Sequence, residues 1–209
     1  MRNIFRYGGV AASILLIALG IGAVVAGFNG RSTVNDNLKQ EQVVGTPDMT
    51  PAAIAREASA AGLKNVSLPT CSVAGQAVDN GNRARCFAQY MRIHALEASG
   101  GLTYAQMPRY ATATGAGTND ATKALTRGGK PVDNPARNVW VTETAITTAL
   151  NTSYFAQSVA LFSIVMGFAL LLTGIGFLLL TTGLLAATGE AIQLRRATHG
   201  HGSAHPAAG

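Results

Sequence analysis

Two stretches of this chain hold no charged residue, one from Gly8 to Phe28 and one from about Ser158 to Ala187. A hydrocarbon core about 30 Å thick needs roughly 20 apolar helical residues. Only a helix or a closed barrel satisfies its own backbone there. Both stretches are therefore expected to be transmembrane helices, over residues 8–28 and 158–187, with short tails 1–7 and 188–209. The segment 29–157 between them alternates short periodic runs with turn-rich sequence.

Within that segment, Ser32–Val44 is polar and continues the first helix until Gly45-Thr46-Pro47 breaks it. Thr50 before Pro51 reads as an N-cap followed by proline at the first helical position, opening the alanine-rich run PAAIAREASAA. Gly62 is its natural stop. Leu63–Arg83 reads as loop with room for a short extended piece. A further helix is expected over Arg83–Ala98. At 100° per residue it gathers Cys86, Phe87, Tyr90, Met91, Ile93, His94 and Glu97 on one arc, with Arg85, Gln89 and Arg92 opposite. Leu102, Tyr104, Met107 and Tyr110 are expected to join the same small core. Residues 111–132 are poor in large apolar side chains and read as flexible loop. Asn134-Pro135 opens another element leading into the second span. Its threonines also suit a strand, whereas Val139, Glu143, Ile146, Leu150 and Tyr154 keep helical spacing. The expected fold is mainly α: two transmembrane helices flanking a small, disulfide-stapled helical extracytoplasmic domain.

Charge sets the expected orientation. Arg2 and Arg6 precede the first span, and Arg195 and Arg196 follow the second, offset by Glu190. The 129 residues between the spans carry a net charge of +3, but so long a segment counts little in the positive-inside rule. Both termini are thus expected in the cytoplasm of a plasma-membrane protein, with Arg31 a mild contrary vote. Tyr7, Tyr154 and Phe155 suit interfacial anchors. The first stretch also fits a cleaved signal peptide ending near Val24-Val25-Ala26, although its apolar run is longer than usual. The basic pI of about 9.7 comes from 16 scattered Lys and Arg residues with no cluster, so no nucleic-acid partner is expected. Cys71 and Cys86, the only cysteines, both lie between the spans and read as a disulfide in an oxidising compartment. Closing a loop of about 15 residues contributes roughly 3 kcal/mol in the chain-entropy picture.

Small residues mark candidate helix-packing lines: Ala18, Gly22 and Ala26 in the first span, Ser163, Gly167 and Gly174 in the second. Neither span holds an ionisable residue, which argues against an ion pathway or proton relay. Between the spans, His94 and Glu97 form an i, i+3 pair with no second histidine. A hydrogen bond between them is the expectation, rather than a metal site. Asp79 and Asp133 sit in turn-rich sequence with nothing to fix their separation. His199, His201 and His205 form a loose tail tract. Asn151-Thr152-Ser153 fits a glycosylation pattern. No Walker loop, dinucleotide fingerprint, nucleophile elbow or zincin motif occurs. No catalytic residue, cofactor or metal is therefore expected.

The pieces FRYGGVAASILLIALGIG, GTPDMTP, MRIHALEASGGLTYAQMPRY and DNPARNVWVTETAITTALNTSYFAQSVALFSIVMGFALLLTGIGFLLL resemble a family of two-span membrane proteins from high-GC Gram-positive bacteria. Some of its members bear the label "aromatic ring-opening dioxygenase". The likeness is weakest over residues 111–130 and after Leu194. It implies a topology and no residue roles. Extradiol cleavage would need a non-haem iron on two histidines and a carboxylate, and His94 is the sole histidine between the spans. The expected function is that of a non-enzymatic accessory, scaffold or assembly subunit of the cell envelope. Its partners would be the bilayer and a membrane protein or a second copy of the chain. A ligand sensor acting through a partner is the alternative, and a membrane-anchored enzyme the weaker third.

Overall fold

In a computed structural model, the backbone is described from Arg2 to His199 and side chains from Tyr7 to Gly183. The side chains of the tail histidines and of Arg195 and Arg196 lie outside the described residues. Four α-helices follow in order: α1 (Arg2–Gln40), α2 (Pro51–Ala60), α3 (Gly81–Ala98) and α4 (Pro135–His199). A 3-10 turn (Ala121–Lys123) and a two-stranded hairpin of β1 (Thr126–Arg127) and β2 (Lys130–Pro131) precede α4. The chain divides into two compact units. One holds the apolar parts of α1 and α4, up to Phe28 and from Leu161; the other is Asn29–Ala160.

In the first unit, both helices are long and apolar enough to cross a membrane, with best-window hydropathies of 2.5 and 2.4. Both apolar stretches are mostly exposed, unlike the buried core helix of a soluble fold. Leu172, Leu179 and Phe162 instead point outward, each more than 60% exposed. The helices meet along small residues. A Cβ built on Gly20 would lie 2.8 Å from the Gly167 carbonyl, and one on Gly174 would lie 2.8 Å from Ile17 Cγ1. Gly9 meets Thr181 in the same way. The order of these contacts makes the pair antiparallel. Ser13, buried on the same side, donates to the Gly9 carbonyl at 2.8 Å.

This seam runs through Gly167 and Gly174, with Ser163 half-buried beside them. It does not use the other line: Ala18, Gly22 and Ala26 are exposed, and nothing lies within 4 Å of a Cβ on Gly22. The reason is the period. Ser13 and Gly20, and Gly167, Gly174 and Thr181, recur every seven residues, the repeat that keeps one face toward a partner at a shallow left-handed crossing.

In the second unit, Thr50 caps α2, accepting from the Ala53 amide at 3.2 Å, and Gly62 ends it with φ +68°. Helix α3 starts two residues earlier than the apolar pattern indicates, because Asn80 caps it through Arg83 N at 3.1 Å. Gly81 then permits close approach to α4: a Cβ there would lie 2.9 Å from Tyr154 Cα, and its amide donates to Gln157 Oε1. Asn134 caps α4, whose course through residues 135–157 is helical throughout.

The core has two parts. One gathers Met49 and Ile54 with Tyr90, Ile93, Met107 and Trp140; the other gathers Leu38, Val78, Ala84, Ala88 and Leu150. Helix α3 thus buries more than one arc. The expected Leu102 and Tyr104 stay exposed and Tyr110 is half-buried, so Met107 alone of that group enters the core. Leu102 contributes its carbonyl instead, accepting from Trp140 Nε1 at 2.8 Å. Arg85 and Arg92, on the side of α3 expected to face water, lie 4.6 Å and 5.1 Å over the rings of Tyr154 and Trp140 on α4.

The Cys71–Cys86 disulfide joins the 63–80 loop to α3 with its Cα atoms 6.1 Å apart. Replacing both cysteines by serine should lower stability by roughly 3 kcal/mol in denaturant unfolding. A loss under about 1 kcal/mol would mean that the loop is held without the bridge. In the apolar unit, Gly174→Leu should loosen the seam by about 1–3 kcal/mol through overpacking, whereas Gly22→Leu should be tolerated. Thermal unfolding in detergent separates the two, and equal effects would disprove the seven-residue seam.

Candidate functional site

Loop 43–49 lies against loop 72–78, and hydrogen bonds between the two loops fix the frame of the central domain. Val78 N donates to Val43 O at 2.8 Å, Gly45 N to Gln76 O at 3.0 Å, Gly75 N to Gly45 O at 2.8 Å and Val73 N to Met49 O at 3.2 Å. Gly45 is required where the segments touch, because any Cβ there would run into the Val73 carbonyl. Tyr90, fully buried on α3, donates its hydroxyl to Cys71 O at 2.6 Å. Burial, with the Asp48 charge adding, raises the Tyr90 hydroxyl above its ordinary pKa.

Two features adjoin this frame. The first is an apolar groove of about 490 Å³ between the outer part of α1, α3 and α4. Leu38, Val78, Phe87, Met91, Ile146 and Leu150 line it, together with the polar Asn37, Glu41 and Ser153.

The second is a cluster at the α2–α3 corner. His94 Nε2 lies 3.0 Å from Asp48 Oδ2, and Nδ1 lies 3.9 Å from Glu97 Oε2. Ligand atoms of Asp48, Glu57 and His94 fall within 4.8 Å of one another, all three residues half-buried. The expected His94–Glu97 hydrogen bond is therefore corrected: Asp48, 46 positions earlier in sequence, is the closer partner. A tight turn holds it there, with Met49 N donating to Thr46 O at 3.0 Å and Thr50 N to Asp48 O at 2.7 Å. Glu97 is a more exposed side chain on His94's own helix. The Asp48 carboxyl sits below the usual carboxylate range. The Thr46 hydroxyl is the main cause, partial burial opposes it, and its own amide and His94 reinforce it.

The remaining candidates disperse. Asp79 pairs with Arg83 at 2.8 Å and receives the Asn80 side-chain amide at 2.8 Å, steadying the start of α3. Asp133 lines a separate, more polar hollow of about 340 Å³ with Arg109 and Arg137. Asn151 is exposed on α4. Sequence reasoning missed Asp48, Glu57 and the groove wall on α1. Only the TPDMTP turn hinted that one of these was fixed in place.

The chain matches no family model, no curated protein and no solved structure. Its functional reading therefore rests on its own geometry.

For Asp79, partial desolvation acts to raise the pKa, but the Asn80 hydrogen bond and the Arg83 charge outweigh it, so the carboxyl is held low. A depressed folded pKa gives stability that is present above the unfolded value of about 3.9. That stability is lost as pH falls through the lower folded value. For this half-exposed pair the loss should be roughly 0.2–1 kcal/mol. Unfolding of wild type and Asp79→Asn at pH 6 and pH 3 checks it: the two should converge in acid. A gap that widens in acid would contradict the assignment.

Proposed function

We propose that this chain is a non-enzymatic two-span protein of the plasma membrane, an accessory or scaffold subunit of the cell envelope, whose central domain docks a partner outside the cell. The apolar groove carries this reading. Three helices and two loop valines line it, mostly with apolar side chains, and Asn37, Glu41 and Ser153 add polar groups, a mix that suits a protein interface core with wetted residues around it. The occupant we assign is the apolar face of a helix from a membrane-protein partner, held helix-in-groove. Phe87 and Met91 supply an aromatic wall and an adaptable thioether. A second copy of this chain is the competing occupant.

The placement has separate support. Arg2, Arg6, Arg195 and Arg196 flank the apolar stretches on the sides assigned to the cytoplasm. The disulfide suits an oxidising exterior. One observation favours a second reading, a ligand sensor acting through a partner. The groove volume falls in the 300–1,000 Å³ range of small-molecule sites, and Ile146 and Leu150 belong to the same helix as the second apolar stretch.

In mild detergent the wild-type chain should run as a complex and co-purify with a defined membrane protein. Met91→Glu and Ile146→Glu should each reduce that recovery at least tenfold while leaving helix content and the disulfide intact. An isolated wild-type monomer in both native sizing and crosslinking would sink the proposal, as would a complex indifferent to both substitutions. Recovery of this chain alone in the complex would make the second copy the occupant and overturn the assignment to a different membrane protein.

A further inference from the structure

The cluster at the α2–α3 corner lies apart from the groove and is built unlike an ordinary surface ion pair. One imidazole faces three carboxylates: Asp48 at 3.0 Å from Nε2, Glu97 at 3.9 Å from Nδ1, and Glu57 with its ligand atom within 4.8 Å of those of Asp48 and His94. Among the described residues, no lysine or arginine nitrogen pairs within 4 Å with any of the three. The basic side chains that do form ion pairs serve Asp36, Asp79 and Asp120. Even a protonated His94 would leave two formal negative charges there without a counter-charge.

We propose that Asp48, Glu57 and His94 bind one first-row divalent cation, with Zn²⁺ the best match. A neutral imidazole and two carboxylates together balance a charge of +2. Nitrogen and oxygen ligands at about 2.0–2.2 Å, three from protein and one water, are a common zinc arrangement. Tetrahedral bonds of that length hold neighbouring ligand atoms roughly 3.4 Å apart. Asp48 and His94 are already closer than this, and the half-buried Glu57, within 4.8 Å of both, would complete the set by a side-chain shift. Nε2 faces Asp48, and Glu97 stands 3.9 Å from Nδ1, beyond hydrogen-bond reach but on the side where a carboxylate commonly orients a metal-bound imidazole. Calcium fits less well, since it favours six to eight oxygen ligands.

The three ligands come from three places, the turn before α2, α2 itself and α3. A bound ion would therefore clip α2 and its turn to α3, as the disulfide clips the 63–80 loop to α3. Its role is to rigidify the module, and no reaction is assigned to it.

The test uses the full chain in detergent, with His199→Ala, His201→Ala and His205→Ala removing the tail imidazoles. Zn²⁺ titrated against a competing chelator should bind at one per chain with micromolar or tighter affinity, and should raise Tm. His94→Gln and Glu57→Gln should each weaken binding at least tenfold while keeping the disulfide and helix content. X-ray absorption should report one nitrogen and two or three oxygen neighbours. If His94→Gln fails to fold, Glu57→Gln decides. Absence of binding above the detergent blank overturns the proposal, and so does zinc affinity unchanged in either folded variant.

Discussion

Helix α3 is buried along two sides at once, and the central domain depends on that. Cys86, Tyr90 and Ile93 face α2 and the 63–80 loop, while Ala84 and Ala88 face Leu38 on α1 and Leu150 on α4. The second contact is possible because the facing residues are small: Gly81 and the two alanines let α4 come within backbone distance. A domain of this size with few large apolar residues buries a modest core. Its stability therefore rests on close packing of small side chains, on aromatic rings under Arg85 and Arg92, and on one covalent tie. Enlarging any small residue on the α4 side would separate the helices and open the core.

The paired loops 43–49 and 72–78 extend that constraint to both candidate surfaces. Val43 and Val78, joined by a backbone hydrogen bond, stand at the groove. Met49 accepts from Val73, and its neighbour Asp48 reaches His94. Gly45, where a side chain has no room, is the point at which the two loops touch. A change there would disturb the groove and the Asp48–His94 pair together, although they lie at different places on the domain.

Most of the elements were legible in the sequence, for local reasons. Thr50-Pro51, Gly62 and Asn134-Pro135 are capping signals that act within one turn, and each marks a real boundary. Two long apolar stretches and the lone cysteine pair need no tertiary context either. What escaped is non-local. Nothing near Asp48 or Glu57 in sequence points to His94, and nothing in the polar Ser32–Val44 run says that Leu38 closes a groove. Tyr104 and Leu102 look like core by composition. The Trp140 indole, however, needs a buried acceptor, and the Leu102 carbonyl takes that place while its side chain turns outward. Composition reads residues 111–132 as flexible loop, yet Gly128-Gly129, with φ of +58° and +74°, turns part of that stretch into a hairpin.

The apolar unit shows the same dependence on small residues. For two helices long and apolar enough to cross a membrane, lipid would offer no hydrophobic gain from pairing, so contact would depend on how closely their backbones approach. Four-residue and seven-residue lines of small residues are both present in the first span, and counting them does not choose between the two. The choice follows from the partner. On α4 the small residues recur at Gly167 and Gly174, seven apart, so only a seven-residue line on α1 stays in contact over several turns. Ser13 and Gly20 supply it. The four-residue line through Ala18, Gly22 and Ala26 drifts off that face and ends among the outward leucines and isoleucines, where small residues pack against nothing in this chain.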